Sequence, residues 1–197
     1  MSAARRRRRR RSRAKLAPLA HLPNPSGAPG ISGLLNFRPA TAAPLLALAE
    51  QLLRGPSPLT SAERELIATF VSSRNECRFC TRSHGATATR LGTEADELEA
   101  ILRDGPSAAK GPKMRALLAI ASSVAGPVRP VPDALVAAAR AAGADDETIH
   151  DTVLVAAAFC MYNRYVDGLA AATPDDPGVY ATAAERLATK GYVRPVG

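Results

Sequence analysis

Apolar residues recur along most of this chain at spacings of three and four, the period of a helix buried on one side. From Thr41 to Arg54 an Ala/Leu pattern predicts a helix, stopped by Gly55-Pro56. Thr60-Ser61-Ala62-Glu63 has the form of a capping box. It opens a helix with Leu66, Ile67, Phe70 and Val71 on its apolar face, which loosens into a turn over Ser72-Ser73-Arg74-Asn75. Asn75 is placed to cap the next helix, from about Glu76 to Leu91, with Gly92 past its end. Thr93-Glu94-Ala95-Asp96 opens another, ending near Gly105-Pro106. Further helices are predicted over 112–125, 132–142, 146–172 and 179–189, separated by Pro and Gly. Few segments alternate in the manner of strands. The expectation is an all-α fold of seven or eight helices over residues 41–190. An extended Pro/Gly-rich lead-in over 16–40 lies on that body, and a tail covers 191–197.

A faint internal repeat runs through this pattern. Eighty-four residues after Glu63 and Val71 stand Glu147 and Val155, each pair an acidic start followed by an apolar helix. At the same offset Cys77 becomes Met161, Cys80 becomes Arg164 and His84 becomes Gly168. A second copy, if degenerate, keeps scaffold and loses side-chain chemistry.

Composition agrees with the helical reading. The 197 residues suffice for one domain with a core, and they are 46% hydrophobic but only 4% aromatic, with no Trp. No apolar run is long enough to span a membrane. The net charge of +8 belongs to one end: residues 1–15 carry eight Arg and Lys15 and no acid, and subtracting these nine leaves −1 for the body. Such a block repels itself and is expected to be a disordered arm, or a start assigned upstream of the real one. Its functional alternative is a phosphate-binding arm that attracts nucleic acid. No aromatic residue interleaves it for base stacking. Leu16 to Pro25 holds three prolines and no sustained apolar segment, which disfavours a targeting signal and points to the cytoplasm.

Three cysteines are too few for a disulfide framework. Two of them form Cys77-Arg78-Phe79-Cys80, and His84 follows four residues later. On a helix, spacings of three, four and seven put Cys77, Cys80, His84, Ala88 and Leu91 on one stripe, with Arg78, Arg82 and Thr89 opposite. The thiols fall near a helix N-terminus, where free N–H groups favour a thiolate. His84 is placed to accept a proton from Cys80. A thiolate, a base and a second thiol suit peroxide reduction through a sulfenic acid and a disulfide. The same residues also allow general dithiol–disulfide exchange, oxidant sensing, or zinc. A structural zinc needs a fourth ligand, and neither His21 nor His150 has ligand-like spacing, so no metal or cofactor is expected. Cys160, in an apolar run, reads as a core cysteine. Spacing alone makes Glu65 a solvated helix carboxylate; if its helix packs antiparallel to the next, it instead faces the thiols.

Glu65, eleven residues, then Cys77-x-x-Cys80-x-x-x-His84 resembles the signature of the alkylhydroperoxidase D (AhpD)-like enzymes of the carboxymuconolactone decarboxylase superfamily. Leu59 to Ala68, Ser72 to Asn75, and Asn163 to Leu169 resemble its peroxidase-related branch, and the similarity covers residues 21–172. The resemblance implies an AhpD-like helical fold and a homo-oligomer, a trimer or a hexamer. It implies Cys80 as peroxidatic thiol, Cys77 as its resolving partner, and His84 with Glu65 as a proton relay. The implied substrate is an organic hydroperoxide, and the implied reductant an external dithiol on a lipoyl- or thioredoxin-like protein. Where the founding peroxidase carries a His, this chain has Phe79.

Overall fold

The computed structural model describes residues 21–127 and 130–194. The Arg-rich arm at 1–15 and the end of the tail at 195–197 lie outside the described residues. The fold is organised around α3 (Ser61–Arg74), buried at every position from Arg64 to Ser72. Neighbours cover it on all sides, so its Arg64, Glu65, Thr69 and Ser72 are buried along with the apolar positions and take hydrogen-bond partners inside the fold. α2 (Pro39–Arg54), α4 (Arg78–Arg90), α5 (Ala95–Asp104), α6 (Pro112–Ala125) and α8 (Asp146–Gly168) all pack against it. α7 (Asp133–Ala141) packs on α6, and α9 (Pro177–Lys190) on α4. With α1 (Gly30–Phe37), the described residues form nine α-helices and one 3-10 turn, and no strand. The all-α expectation holds, one helix above the upper count.

That extra helix is α1, in the segment expected to be extended. Its Gly30, Gly33, Leu34 and Leu35 are buried at i, i+3, i+4 spacing, so a short amphipathic face outweighs the flanking prolines. Pro29 precedes the first helical residue, and Pro39 opens α2, where a missing N–H costs nothing.

Local signals account for α3 and its entry. Thr60 Oγ1 accepts from Glu63 N and the Glu63 carboxylate accepts from Thr60 N, the complete capping box. Arg64, buried beside it, donates to the carbonyls of Leu52 (3.1 Å) and Gly55 (2.8 Å), satisfying acceptors at the end of α2. At the other end the expected capping changes hands. Asn75 terminates α3, Glu76 takes a left-handed φ of 61°, and Cys77 is the N-cap of α4. α4 therefore starts two residues later than expected.

Glu63 and Glu147 both stand in first turns, of α3 and α8, and these two helices pack together. The echo stops there. α3 breaks at Asn75 and turns into α4, while α8 runs unbroken through Met161 and Arg164 to Gly168.

Buried apolar residues separate into clusters. The largest joins α2, α3, α5, α6 and α8 around Leu53, Ile67, Phe70, Leu117, Val155 and Phe159. A smaller one holds Leu34, Cys77, Phe79, Cys80, Val166, Ala171 and Tyr180.

Candidate active site

The α3–α4 hairpin brings Glu65, Cys77, Cys80 and His84 into one region. Cys77 is fully buried and Cys80 is 3% exposed, and both are free thiols. Cys80 lines a cavity of about 500 Å³ together with His84, while Cys77 is not among its lining residues. The neighbouring Cys77 thiol, then burial, pushes the Cys80 thiol well above its ordinary range, and Asn163 acts the other way. Cys80 does occupy the first turn of α4. The expected stabilisation of its thiolate by the helix N-terminus is outweighed by the neighbouring thiol and the apolar surroundings.

Glu65 is not solvated. It is fully buried and accepts three hydrogen bonds. Its Oε2 lies 2.7 Å from His84 Nδ1, and its Oε1 accepts from Arg54 (2.7 Å) and from the Tyr192 hydroxyl (2.6 Å). Burial drives the carboxyl pKa up, but His84, Arg54 and Tyr192 together outweigh it and hold it below the usual value. The anion raises the Tyr192 phenol in turn, adding to that group's own burial. An ionised Glu65 accepts from Nδ1–H of His84, and in the neutral imidazole that tautomer leaves Nε2 as the acceptor nitrogen of a side chain lining the cavity. The ring is fixed edge-on to Phe159, 4.6 Å between centroids, and stacked on Tyr192 at 6.1 Å.

A second polar chain lies behind the thiols. Asn163 donates to Ser72 Oγ (3.0 Å) and accepts from Asn75 Nδ2 (2.9 Å), which also reaches Cys160 Sγ at 3.5 Å. Ser72, Asn75 and Asn163 come from the two motifs, 91 and 88 residues apart, that resembled the peroxidase-related branch. Cys160 is half-buried against the main core. Phe79 forms a wall of the cavity, tilted on Tyr180 at 5.9 Å and pressed against Gly30. A Cβ on Gly30 would lie 2.2 Å from the Phe79 ring, and Gly30 has φ +52°.

Sequence reasoning overlooked Arg54 and Tyr192. Arg54 closes α2 as an ordinary basic residue in a last turn, and Tyr192 lies in what reads as a tail. No spacing rule links residues 54, 65 and 192, since the last pair is 127 positions apart. The only hint was a tyrosine, one of four in the chain, set in an apolar Tyr-Val pair.

A family model described as the carboxymuconolactone decarboxylase family matches residues 39–123 and 109–174. The chain belongs to this family. Its helical fold is shared with solved structures of peroxidase-related proteins. A peroxidase-related protein from Silicibacter sp. TM1040 is similar over 75% of this chain and 77% of its own, at 26% identity and a TM-score of 0.69. A peroxidase-related protein from Ralstonia eutropha JMP134, described as an alkylhydroperoxidase AhpD core, is similar in fold over 80% and 82%, at 24% identity and a TM-score of 0.70. No curated protein matches the chain. The matched residues of the carboxymuconolactone decarboxylase family contain Arg54, Glu65, both thiols, His84 and Asn163, whereas Tyr192 lies beyond them. No helix among the described residues is long and apolar enough to cross a membrane.

Proposed function

We propose that this protein is a thiol-dependent peroxidase that reduces organic hydroperoxides. The observation that carries the reading is the asymmetry of the dithiol: Cys80 faces a cavity shared with His84, while Cys77 is fully buried behind it in the same apolar cluster. His84 Nε2 takes the Cys80 proton as the peroxide enters. The thiolate attacks the peroxide, an S–O bond forms as the O–O bond breaks, and the alkoxide takes up the proton and leaves as an alcohol. Cys80 is then a sulfenic acid. Cys77 sulfur attacks it, the S–S bond forms, and hydroxide leaves as water with the Cys77 proton. The two thiols have supplied two electrons, and an external dithiol restores them by exchange. Glu65 holds Nδ1–H throughout and stabilises the imidazolium, and Arg54 and Tyr192 keep Glu65 ionised.

A Cys80 only 3% exposed at the wall of a recess favours a small-molecule peroxide over the disulfide of a folded protein, the substrate of a general dithiol–disulfide oxidoreductase. The reductant fits a slender group such as a lipoyl arm better than a rigid thioredoxin-like surface. A homo-oligomer, trimer or hexamer, is supported by the apolar Leu154 and Met161, exposed seven residues apart on one face of α8. Light scattering tests that assembly.

Peroxide-dependent oxidation of a supplied dithiol tests the reaction. Wild type turns over and Cys80→Ser does not; equal turnover by both removes Cys80 from its role.

A further inference from the structure

The cavity beside Cys80 is apolar along Ile31, Leu35, Leu46 and Phe159, yet Arg186 and Arg194 also line it. Both are half-buried, in α9 and just after it. Among the described residues, one Nη of Arg194 is buried with no hydrogen-bond partner. Arg186 Nη1 reaches, among the same residues, only the Gly191 carbonyl, at 3.3 Å. Every Asp and Glu of the chain lies within the described residues, and among these none is within ion-pair distance of either arginine. Burial and the neighbouring Arg186 both lower the Arg194 pKa, and no acid opposes them.

Two half-buried cations lining a largely apolar recess, with no Asp or Glu in ion-pair distance, are unfavourable in the free protein. Arg54, Arg82 and Arg90, by contrast, have Glu65, Asp175 and Glu185. A planar guanidinium with spare N–H donors matches a carboxylate or phosphate head group. A recess of about 500 Å³ is in the range of small-molecule sites and large enough to take an apolar body with such a head.

We propose that Arg186 and Arg194 bind the anionic head of an amphipathic substrate whose apolar body fills the cavity and presents its hydroperoxide to Cys80. The substrate class is thus a long-chain acid hydroperoxide or its phosphate counterpart, and not a neutral alkyl hydroperoxide. This inference deepens the peroxidase reading and rests on it for the reacting group, but head-group binding can be read alone.

Calorimetric titration of the full chain with decanoate, decyl phosphate and decanol measures that binding without any thiol chemistry. An anion is expected to bind at least about tenfold more tightly than decanol, the value of a charge-assisted hydrogen bond. Arg194→Gln and Arg186→Gln should each remove most of that advantage, and Arg194→Lys should retain part of it, with circular dichroism confirming that each is folded. A preference for decanoate alone or for decyl phosphate alone identifies the head group. Equal binding of decanol and both anions, or an advantage that survives both Gln variants, overturns the inference. Turnover of a fatty-acid hydroperoxide against its methyl ester is the second arm. If the anion preference stands and neither peroxide is reduced, the peroxidase reading fails while the anion site holds.

Discussion

Glu65 Oε2 and His84 Nδ1 lie 2.7 Å apart across the α3–α4 hairpin, and this contact defines which imidazole nitrogen is free to act as a base. Glu65→Gln removes the charge that fixes the tautomer and leaves Arg54 without its counter-ion. At neutral pH the variant should lose about 3 kcal/mol of stability, the usual result of breaking one side of a buried pair. Alkylation of Cys80 should slow together with turnover. An unchanged alkylation rate in folded Glu65→Gln separates Glu65 from the thiol chemistry.

The same carboxyl sets an acid limit. Held below its ordinary value of 4.5, it binds fewer protons in the folded state than in the unfolded one. Its contribution is therefore complete above about pH 4.5 and is lost as pH falls through the lower folded value. Urea midpoints of wild type should drop more steeply below pH 4.5 than those of Glu65→Gln. Parallel curves for the two proteins would show that Glu65 is not the linked group.

The adjacent Cys77 thiol is the largest cause of the raised Cys80 pKa, from an ordinary 9.0. Cys77→Ala should move the midpoint of Cys80 alkylation to lower pH. It should also let a sulfenic acid accumulate on Cys80 after peroxide, trapped by dimedone and read by mass spectrometry. A midpoint that stays in place would assign the shift to burial alone.

Tyr192→Phe deletes one of three donors to Glu65 and keeps the ring stacked on His84. A hydrogen bond to a buried charge is worth about 1.5–3 kcal/mol, and thermal unfolding should register a loss of that order. Turnover should fall by less than in Glu65→Gln, because Arg54 and the Nδ1–H bond remain. A loss as large as that of Glu65→Gln would place Tyr192 in the reaction itself.

Gly30 and Phe79 are coupled through space. Gly30→Ala meets the Phe79 ring and a left-handed φ, and should cost about 2–4 kcal/mol. In a Phe79→Ala background only the backbone part remains, about 1–2 kcal/mol. Denaturation of the four proteins of this double-mutant cycle measures the difference. Additive costs would mean that the helix shifts away from the ring.

Helical periodicity, the capping box at Thr60 and the Pro/Gly breaks located most of the helices, because each rests on neighbours in sequence. The stripe of Cys77, Cys80 and His84 was readable for the same reason. α1 escaped because eight residues between prolines carry too short a period to recognise. The N-cap of α4 moved to Cys77 because the turn is set by the left-handed backbone at Glu76, which no propensity favours. Glu65 stayed undecided until the packing of two helices was known. Arg54 and Tyr192 reach it only through tertiary contacts, and a carboxylate's partners leave no trace in local pattern.

The thiols belong to the small apolar cluster with Leu34 and Tyr180, while the bulk of the apolar packing lies in the larger cluster around Ile67 and Leu117. Substitutions that retune reactivity around the dithiol therefore draw little on the packing that keeps the chain folded. A lineage built on this scaffold can explore new reductants and oxidants at the small cluster while the larger one buffers the loss, which gives the chemistry freedom to diverge faster than the architecture.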